Sequence, residues 1–204
     1  MKLSTILLAL VGVKALPAEG TFARELFELH NQMRQDPESF IPELENILSE
    51  FDGSRYRKLV IGEKTYRVAT LEADLPVREL IYFLKKQPKL QPLVYDDLLQ
   101  GYACQHVKDQ GATRDTGHES TVGESWEVRI APAREAGSKT EMFGENLTYG
   151  AMSARDALLT LAINDGVSTR AHRKNIFTAD YTKIGVCKGD HIAFSNMVDV
   201  IFKG

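Results

Sequence analysis

The chain lacks two features that would assign it to large functional classes: a long uncharged apolar segment and a cluster of basic residues. Its 204 residues carry 25 lysines and arginines against 28 aspartates and glutamates, a formal net charge of −3. The basic residues are scattered, so the sequence carries no electrostatic footprint for nucleic acid and disfavours it as a partner. A membrane-spanning helix needs roughly 20 consecutive apolar residues, and we find no such segment.

Cysteine is also scarce, with only Cys104 and Cys187 in the whole chain. Both lie on segments that we predict to be core elements. An oxidising compartment permits a disulfide, but two cysteines do not prove one. A Cys104–Cys187 bridge and two buried free thiols therefore both stay open.

Two familiar catalytic motifs are incomplete. The segment 118–122 lacks the second histidine of the HExxH zinc-protease motif, and the segment 123–127 lacks the closing glycine of the GxSxG elbow. Neither supports a hydrolase. A Ser-His-Glu arrangement of Ser120, His172 and Glu145 stays open as an alternative, because it depends on spatial geometry.

The first fifteen residues have the composition of a signal peptide. Lys2 precedes a short apolar run from Leu3 to Val13, and small residues precede a cleavage point after Ala15. A buried amino-terminal helix or strand is the alternative. We expect residues 1–15 to be a signal peptide and residues 16–204 to form a single domain, secreted to the extracellular space, since 43% apolar content suffices for one core.

Apolar residues at helical spacing predict five helices. They cover residues 22–34, 42–51, the stripe from Val77 to Leu84, a segment from Asp96 or Asp97 to Gly111, and a segment that starts at Ser153. Residues 57–68 predict a small hairpin or an irregular insertion. For residues 112–139 we predict a long functional loop with a short helical possibility around 125–130.

Two strands, 182–187 and 192–202, close the chain. Apolar residues occupy nearly all of both faces of the second strand, which implies helices above and below the sheet. The sequence therefore predicts an α/β protein with a three-layer α-β-α sandwich.

Three stretches combine glycine or a turn with titratable groups at the ends of predicted elements: 117–120, 144–150 and 164–177. Residues 144–147 match the pattern GEN[IL], residues 171–177 match GHRxNI[LF] with alanine in place of the first glycine, and residues 181–186 are similar to YxxIGV. Residues 26–37 are similar to LxxxNxxRxxP. In this order, from about residue 22 to 202, the chain resembles the CAP superfamily (SCP/TAPS; cysteine-rich secretory protein, antigen 5, pathogenesis-related class 1).

The resemblance implies a cavity with two histidines and two acidic residues that binds a divalent metal such as Zn²⁺. When the ligand positions of the family are carried over residue by residue, the implied metal ligands in this chain are His118, Glu145 and His172, with Asp165 as the fourth. Neutral imidazoles and carboxylates suit zinc. A structural Glu145–His172 ion pair without a metal is the alternative.

Further details of the motifs bear on this site. The segment 164–173 resembles the branch pattern DDGVxxRGHR, but Asn164 replaces its first aspartate and Ala171 its second glycine. His106 competes with His118 as first ligand, although a histidine on an apolar helix face is more often a core residue. Asn146 opens a glycosylation sequon, but we expect its side chain to be needed for backbone hydrogen bonds.

The leading interpretation is a non-enzymatic extracellular binding protein, because the resemblance implies binding of sterols or other lipids, metal ions or protein partners. A hydrolase or peptidase that uses the same cleft is the second interpretation. A structural component of a wall or matrix is the third. Kinship of fold does not decide among them.

Overall fold

The structure is a computed structural model that describes residues 16–135 and 141–204, so the predicted signal peptide lies outside the described residues. The helices are α1 (Phe22–Gln35), α2 (Ile41–Ser49), α3 (Leu75–Leu84), α4 (Asp97–Gly111), α5 (Trp126–Glu135), α6 (Ala154–Ile163) and α7 (Ala171–Ile176), and a 3₁₀ turn spans Pro37–Phe40. The strands are β1 (Tyr56–Ile61), β2 (Lys64–Ala69), β3 (Val94–Tyr95), β4 (Phe143–Tyr149), β5 (Lys183–His191) and β6 (Ser195–Lys203).

The main sheet has the strand order β3-β5-β6-β4, in which β3 runs parallel to β5 and the other pairs are antiparallel. Val186 and Phe202 point from one face into the large core formed with α1 and α6. Ile201 points from the other face into a second cluster with residues of α4 and α5. Helices therefore cover both faces, and the three-layer α-β-α prediction is confirmed.

Helix α4 packs directly on β5. A Cβ atom at Gly185 would lie 2.4 Å from the backbone carbon of Leu99, so only glycine allows this approach. Cys104 of α4 and Cys187 of β5 form a disulfide, with their Cα atoms 5.1 Å apart. The open choice between a disulfide and two free thiols is thus decided for the disulfide.

Arg34 fixes α1 to the segment that precedes β5. Its guanidinium is fully buried and donates to backbone carbonyls of Gln91, Ile176, Thr178 and Tyr181 at 2.8–3.2 Å. Carbonyl groups are costly to bury without a hydrogen-bond donor, and the arginine supplies that donor to all four. The arginine of the first-helix pattern therefore has a structural role.

Several predicted boundaries are confirmed. Asp96 caps α4, and its carboxylate accepts from the backbone N–H of Leu98 and Leu99. The Ser153 hydroxyl caps α6 by accepting from Asp156. The segment 57–68 is a hairpin, in which β1 and β2 pair in antiparallel register around a turn.

Two predictions about elements are wrong. The loop 112–139 contains the ten-residue helix α5 rather than a brief helical turn at 125–130, because Ile130 and Ala133 are buried against α4 and support it. Residues 143–149 form a sheet strand, so Glu145 lies in the middle of an element and not at its end. Within the described ranges, no helix is long and apolar enough to cross a membrane.

Candidate functional site: a histidine-acid cleft beside an apolar cavity

Glu145 is at the centre of the cleft. It lies on β4 opposite Ile201 of β6, and its side chain is only 1% exposed. The Glu145 Oε2 atom is 2.6 Å from Nδ1 of His118. An ionised carboxylate can only accept a hydrogen bond, so we assign the proton of this bond to His118 Nδ1. In the neutral ring, the other nitrogen of His118 then carries no proton.

Arg129 of α5 neutralises this carboxylate. Its Nη2 and Nη1 atoms donate to the two Glu145 oxygens at 3.0 and 3.2 Å, and Nη1 also donates to the His118 carbonyl at 2.7 Å. Burial acts to raise the pKa of Glu145, but the hydrogen bonds from His118 and Arg129 outweigh it, and the pKa lies below its ordinary value. Glu145 is therefore an ionised, fully engaged carboxylate.

Arg129 is a residue of the site that was not predicted from the sequence. It lies in the segment predicted as a loop, 16 residues from Glu145, and no local motif marks it. The only available signal is a short helical pattern around residues 125–130, which would place the arginine on a helix near the GEN motif. The pairing depends on how α5 packs against the sheet, which no spacing in the sequence reveals.

Asp199 is a second buried carboxyl group next to this pair. It lies on β6, is fully buried, and has an oxygen 3.8 Å from Nη2 of Arg129. Burial raises its pKa well above the ordinary value, and the negative charge of Glu145 adds to the rise. Asp199 thus holds a proton at pH values where Glu145 is ionised.

His172 enters the cleft from the first turn of α7 and is held by Asn164. The Asn164 side chain accepts from the His172 backbone N–H at 3.0 Å, and its Nδ2 lies 2.9 Å from His172 Nδ1. Burial lowers the pKa of His172, and the nearby His118 lowers it further. The two imidazoles are therefore near enough for their charges to interact.

Asn146 and Asn175 join α7 to β4 behind these histidines. Asn146 donates to the His172 carbonyl at 3.0 Å and accepts from Asn175 at 2.8 Å. Asn146 is fully buried, so the expected structural role of its side chain is confirmed. A Cβ atom at Gly144 would lie 2.5 Å from the Tyr181 hydroxyl, which explains the glycine that precedes Glu145.

Asp165 has a different set of partners from the other three predicted ligands. Its two oxygens accept from the backbone N–H groups of Leu71 and Glu72 at 2.8 and 2.9 Å. They hold the loop before α3 against the end of α6. The structure thus bonds His118 to Glu145, places His172 near enough to His118 for their charges to interact, and ties Asp165 to this loop.

The predicted zinc site does not fit this arrangement of donors. Arg129 occupies both oxygens of Glu145, and backbone N–H groups occupy those of Asp165. In the part of the chain that the structure describes, no group of three or more His, Cys, Asp and Glu side chains is arranged to hold a metal ion. Metal binding stays a prediction from sequence.

Two alternative residues have other roles. His106 is buried, and its Nε2 atom lies 3.0 Å from the Gly117 carbonyl, which fits a core histidine. The Ser120 hydroxyl accepts from the backbone N–H of Glu124 at 2.9 Å. Among the described residues, no serine hydroxyl is hydrogen-bonded to His118 or His172.

An apolar cavity of about 360 Å³ adjoins His172. It lies between α2, the β1–β2 hairpin and α6, and its floor includes Leu147 of β4. The apolar side chains that line it are Ile47, Phe51, Val68, Ala69, Ala73, Val77, Leu147, Leu159, Leu161, Ile163 and Val167. The polar and charged residues that line it are Arg57, Thr70, Asp156, Thr160, Asn164, Asp165 and His172.

The fold is a three-layer α-β-α sandwich, and two histidines and a buried glutamate lie at the edge of its sheet. The chain belongs to the CAP family, since the model of the Cysteine-rich secretory protein family matches residues 27–191. Comparison with curated proteins gives no match.

Three solved structures are similar to the chain. An outer surface protein from Borrelia burgdorferi is 19% identical with a TM-score of 0.44, covering 72% of this chain and 97% of that one. An extracellular protein containing an SCP domain from Bacillus anthracis is 21% identical with a TM-score of 0.43, covering 63% and 37%. A cysteine-rich secretory protein from Staphylococcus aureus is 13% identical with a TM-score of 0.40, covering 70% and 42%. The chain therefore spans less than half of the last two proteins.

Proposed function

We propose that this CAP protein is a secreted, non-enzymatic binding protein that takes up a small lipid-like molecule. The apolar part of the ligand lies in the cavity under the β1–β2 hairpin, and its polar end lies beside His172. The observation that carries the proposal is the cavity of about 360 Å³, which adjoins a histidine of the cleft.

The size and lining of the cavity support this ligand class. Ligand sites in proteins commonly measure about 300–1,000 Å³ and combine apolar walls with a few polar groups that fix orientation. Here apolar side chains from α2, the hairpin, α3, β4, α6 and the loops beside them meet at one cavity. Filling it with an apolar chain removes that surface from water, which contributes roughly 25 cal/mol per Å² before the costs of association.

The cleft itself supports binding rather than covalent catalysis. A nucleophilic mechanism needs a hydroxyl or thiol within hydrogen-bond reach of a base. Both cysteines form the disulfide, and the Ser120 hydroxyl is bonded to its own loop. Glu145 orients the His118 ring, but no serine hydroxyl among the described residues is hydrogen-bonded to that ring.

Calorimetric titration with dodecanoate, below its micelle concentration, tests the proposal. Val68 lines the cavity from β2, whereas Val60 of β1 is 66% exposed and does not line it. Val68→Trp fills the cavity and should weaken dodecanoate binding at least tenfold, about 1.4 kcal/mol. Val60→Trp, the matched control on the same hairpin, should leave the affinity within about twofold.

Absence of binding by the wild-type protein would refute the proposal. An equal loss of affinity in both tryptophan variants would also refute it, because the loss would then come from a disturbed hairpin and not from a filled cavity. Persistence of full affinity in Val68→Trp would place the bound chain elsewhere.

A further inference from the structure

Asn164 contacts His172 twice, and the two contacts fix how its amide is oriented. The backbone N–H of His172 is a donor only, so the side-chain atom 3.0 Å from it must be the amide oxygen. The amide nitrogen is then the atom 2.9 Å from His172 Nδ1. The opposite orientation would place an NH₂ group against the backbone N–H of His172.

This orientation determines the tautomer of His172. An amide NH₂ group donates only, so His172 Nδ1 must accept and carries no proton. The proton of the neutral ring therefore lies on Nε2. Among the described residues, Nε2 has no hydrogen-bond partner and is not sealed from solvent.

Asn164 is itself held in place. It follows the last turn of α6 in the left-handed conformation, with φ 60° and ψ 44°, and its backbone N–H donates to Thr160. It is 3% exposed, and Arg170 donates to its carbonyl at 3.0 Å. Arg170 is paired in turn with Glu72 and Glu79. The amide therefore has little freedom to flip.

We infer that Asn164 is a positioning residue that makes His172 a hydrogen-bond donor at Nε2, so that the cleft recognises an acceptor oxygen instead of a metal ion. A histidine that binds a metal through one nitrogen normally donates the other N–H to a carboxylate or carbonyl. His118 meets this condition through Glu145. His172 has the reverse arrangement, because its second nitrogen faces a donor.

The identity of the ligand's polar end rests on the proposed function, whereas the tautomer does not. A carboxylate, carbonyl or hydroxyl oxygen accepts from an Nε2–H group, and an ammonium group does not. The end of the ligand beside His172 is accordingly an acceptor, and a fatty acid fits it better than an alkylamine of the same length.

Nitrogen-15 NMR of the histidine rings tests the tautomer without any ligand. At about pH 8, where histidine is neutral, the wild-type protein should show His172 Nδ1 unprotonated and Nε2 protonated, with His172→Gln used to assign the signals. In Asn164→Asp, the carboxylate accepts from both the backbone N–H and the ring, so the proton should move to Nδ1. Protonated Nδ1 in the wild type, or an unchanged ring in Asn164→Asp, would overturn the inference.

Ligand and metal titrations test whether the cleft prefers an acceptor oxygen to an ammonium group or a metal ion. Dodecanoate should bind at least tenfold more tightly than dodecylamine, and His172→Phe should remove this preference while binding of dodecanol persists. Excess zinc should leave the unfolding temperature of the wild type unchanged. Zinc stabilisation that disappears in His172→Ala, or preference for dodecylamine, contradicts the inference. If neither ligand binds but the predicted tautomer is observed, the proposed function fails and the positioning role of Asn164 stands.

Discussion

Around Glu145, burial forces neighbouring acids into different protonation states. Glu145 is ionised because Arg129 and His118 donate to it. Asp199 is fully buried beside it. It holds a proton because burial and the charge of Glu145 disfavour a second negative charge there more than Arg129 favours it. The cleft thus contains one compensated charge and one neutral acid.

Asp199→Asn should make the protein more stable at high pH relative to the wild type. The pKa of Asp199 is higher in the folded protein than in the unfolded chain, so the folded state binds the extra proton above about pH 4, and stability falls as pH rises. Asparagine does not titrate and so removes this pH dependence. In the wild type, the free energy of unfolding changes by about 1.4 kcal/mol for each pH unit between the pKa of Asp199 in the unfolded chain and its pKa in the folded protein. Urea denaturation at about pH 4 and pH 8 measures it; an equal effect at both values would contradict the assignment.

His30 should impose the opposite pH dependence. It is completely buried, with Nδ1 2.7 Å from the Leu26 carbonyl, and burial lowers its pKa to about 4. The unfolded chain takes up a proton below about pH 6.5 while the folded protein does not, so stability is lost as pH falls from about 6.5 to 4. His30→Phe should recover about 3 kcal/mol of that loss. A wild-type pH profile that His30→Phe leaves unchanged would show that this residue does not titrate as proposed.

The sequence identified the ionisable residues of the cleft better than their partners. Glu145 and His172 lie in motifs with specific spacing, and in the structure Glu145 is bonded to His118 while His172 interacts with it electrostatically. Arg129 and Asp199 carry no such signal, because each meets Glu145 only after α5 and β6 have packed. Asn164 could have been recognised as a helix end, since asparagine is common in the left-handed conformation there, but its hydrogen bonds to His172 could not.

At the scale of elements, the β1–β2 hairpin forms one side of the cavity and lies outside the large core. Thr70 donates to the Arg55 carbonyl at 2.8 Å, so the two ends of the hairpin meet. Among the described residues, the large core cluster includes none from β1 or β2. Arg57 and Val68, which pair across the hairpin, line the cavity.

Replacing residues 56–69 by a short glycine-serine turn should separate folding from binding. The described side chains of residues 56–60 and 62–69 are exposed or only partly buried, so the variant should unfold cooperatively with a midpoint within a few degrees of the wild type. It should lose dodecanoate binding, because the cavity then opens to solvent along one wall. Calorimetry on the same sample measures both properties, and retention of the wild-type affinity would exclude the hairpin from the site.

Elements with strong periodicity were predictable and those defined by packing were not. Helices α1, α4 and α6 follow apolar stripes and have recognisable caps. Strand β4 was not predicted because its residues include glycine, glutamate, asparagine and threonine. The Glu145 and Asn146 side chains are buried there with specific hydrogen bonds that the sequence does not reveal. Helix α5 contains Pro132 and a polar sequence, so its helical state depends on burial against α4.

For the whole molecule, the disulfide joins the α4 layer to the sheet. Cys104 and Cys187 are 83 residues apart in sequence, so the bridge restricts a large part of the unfolded chain. Loop-closure entropy predicts a contribution of about 4 kcal/mol. The double variant Cys104→Ala and Cys187→Ala should lose stability of this order in urea denaturation, whereas a loss below about 1 kcal/mol would mean that packing of α4 on β5 suffices by itself.

The most direct test of the proposed function is a crystal structure of the protein with dodecanoate. We predict that the alkyl chain lies in the cavity between α2, the hairpin and α6, with a carboxylate oxygen about 2.7–3.2 Å from Nε2 of His172. A bound zinc ion shared by His118 and His172, or an alkyl chain outside this cavity, would contradict the account.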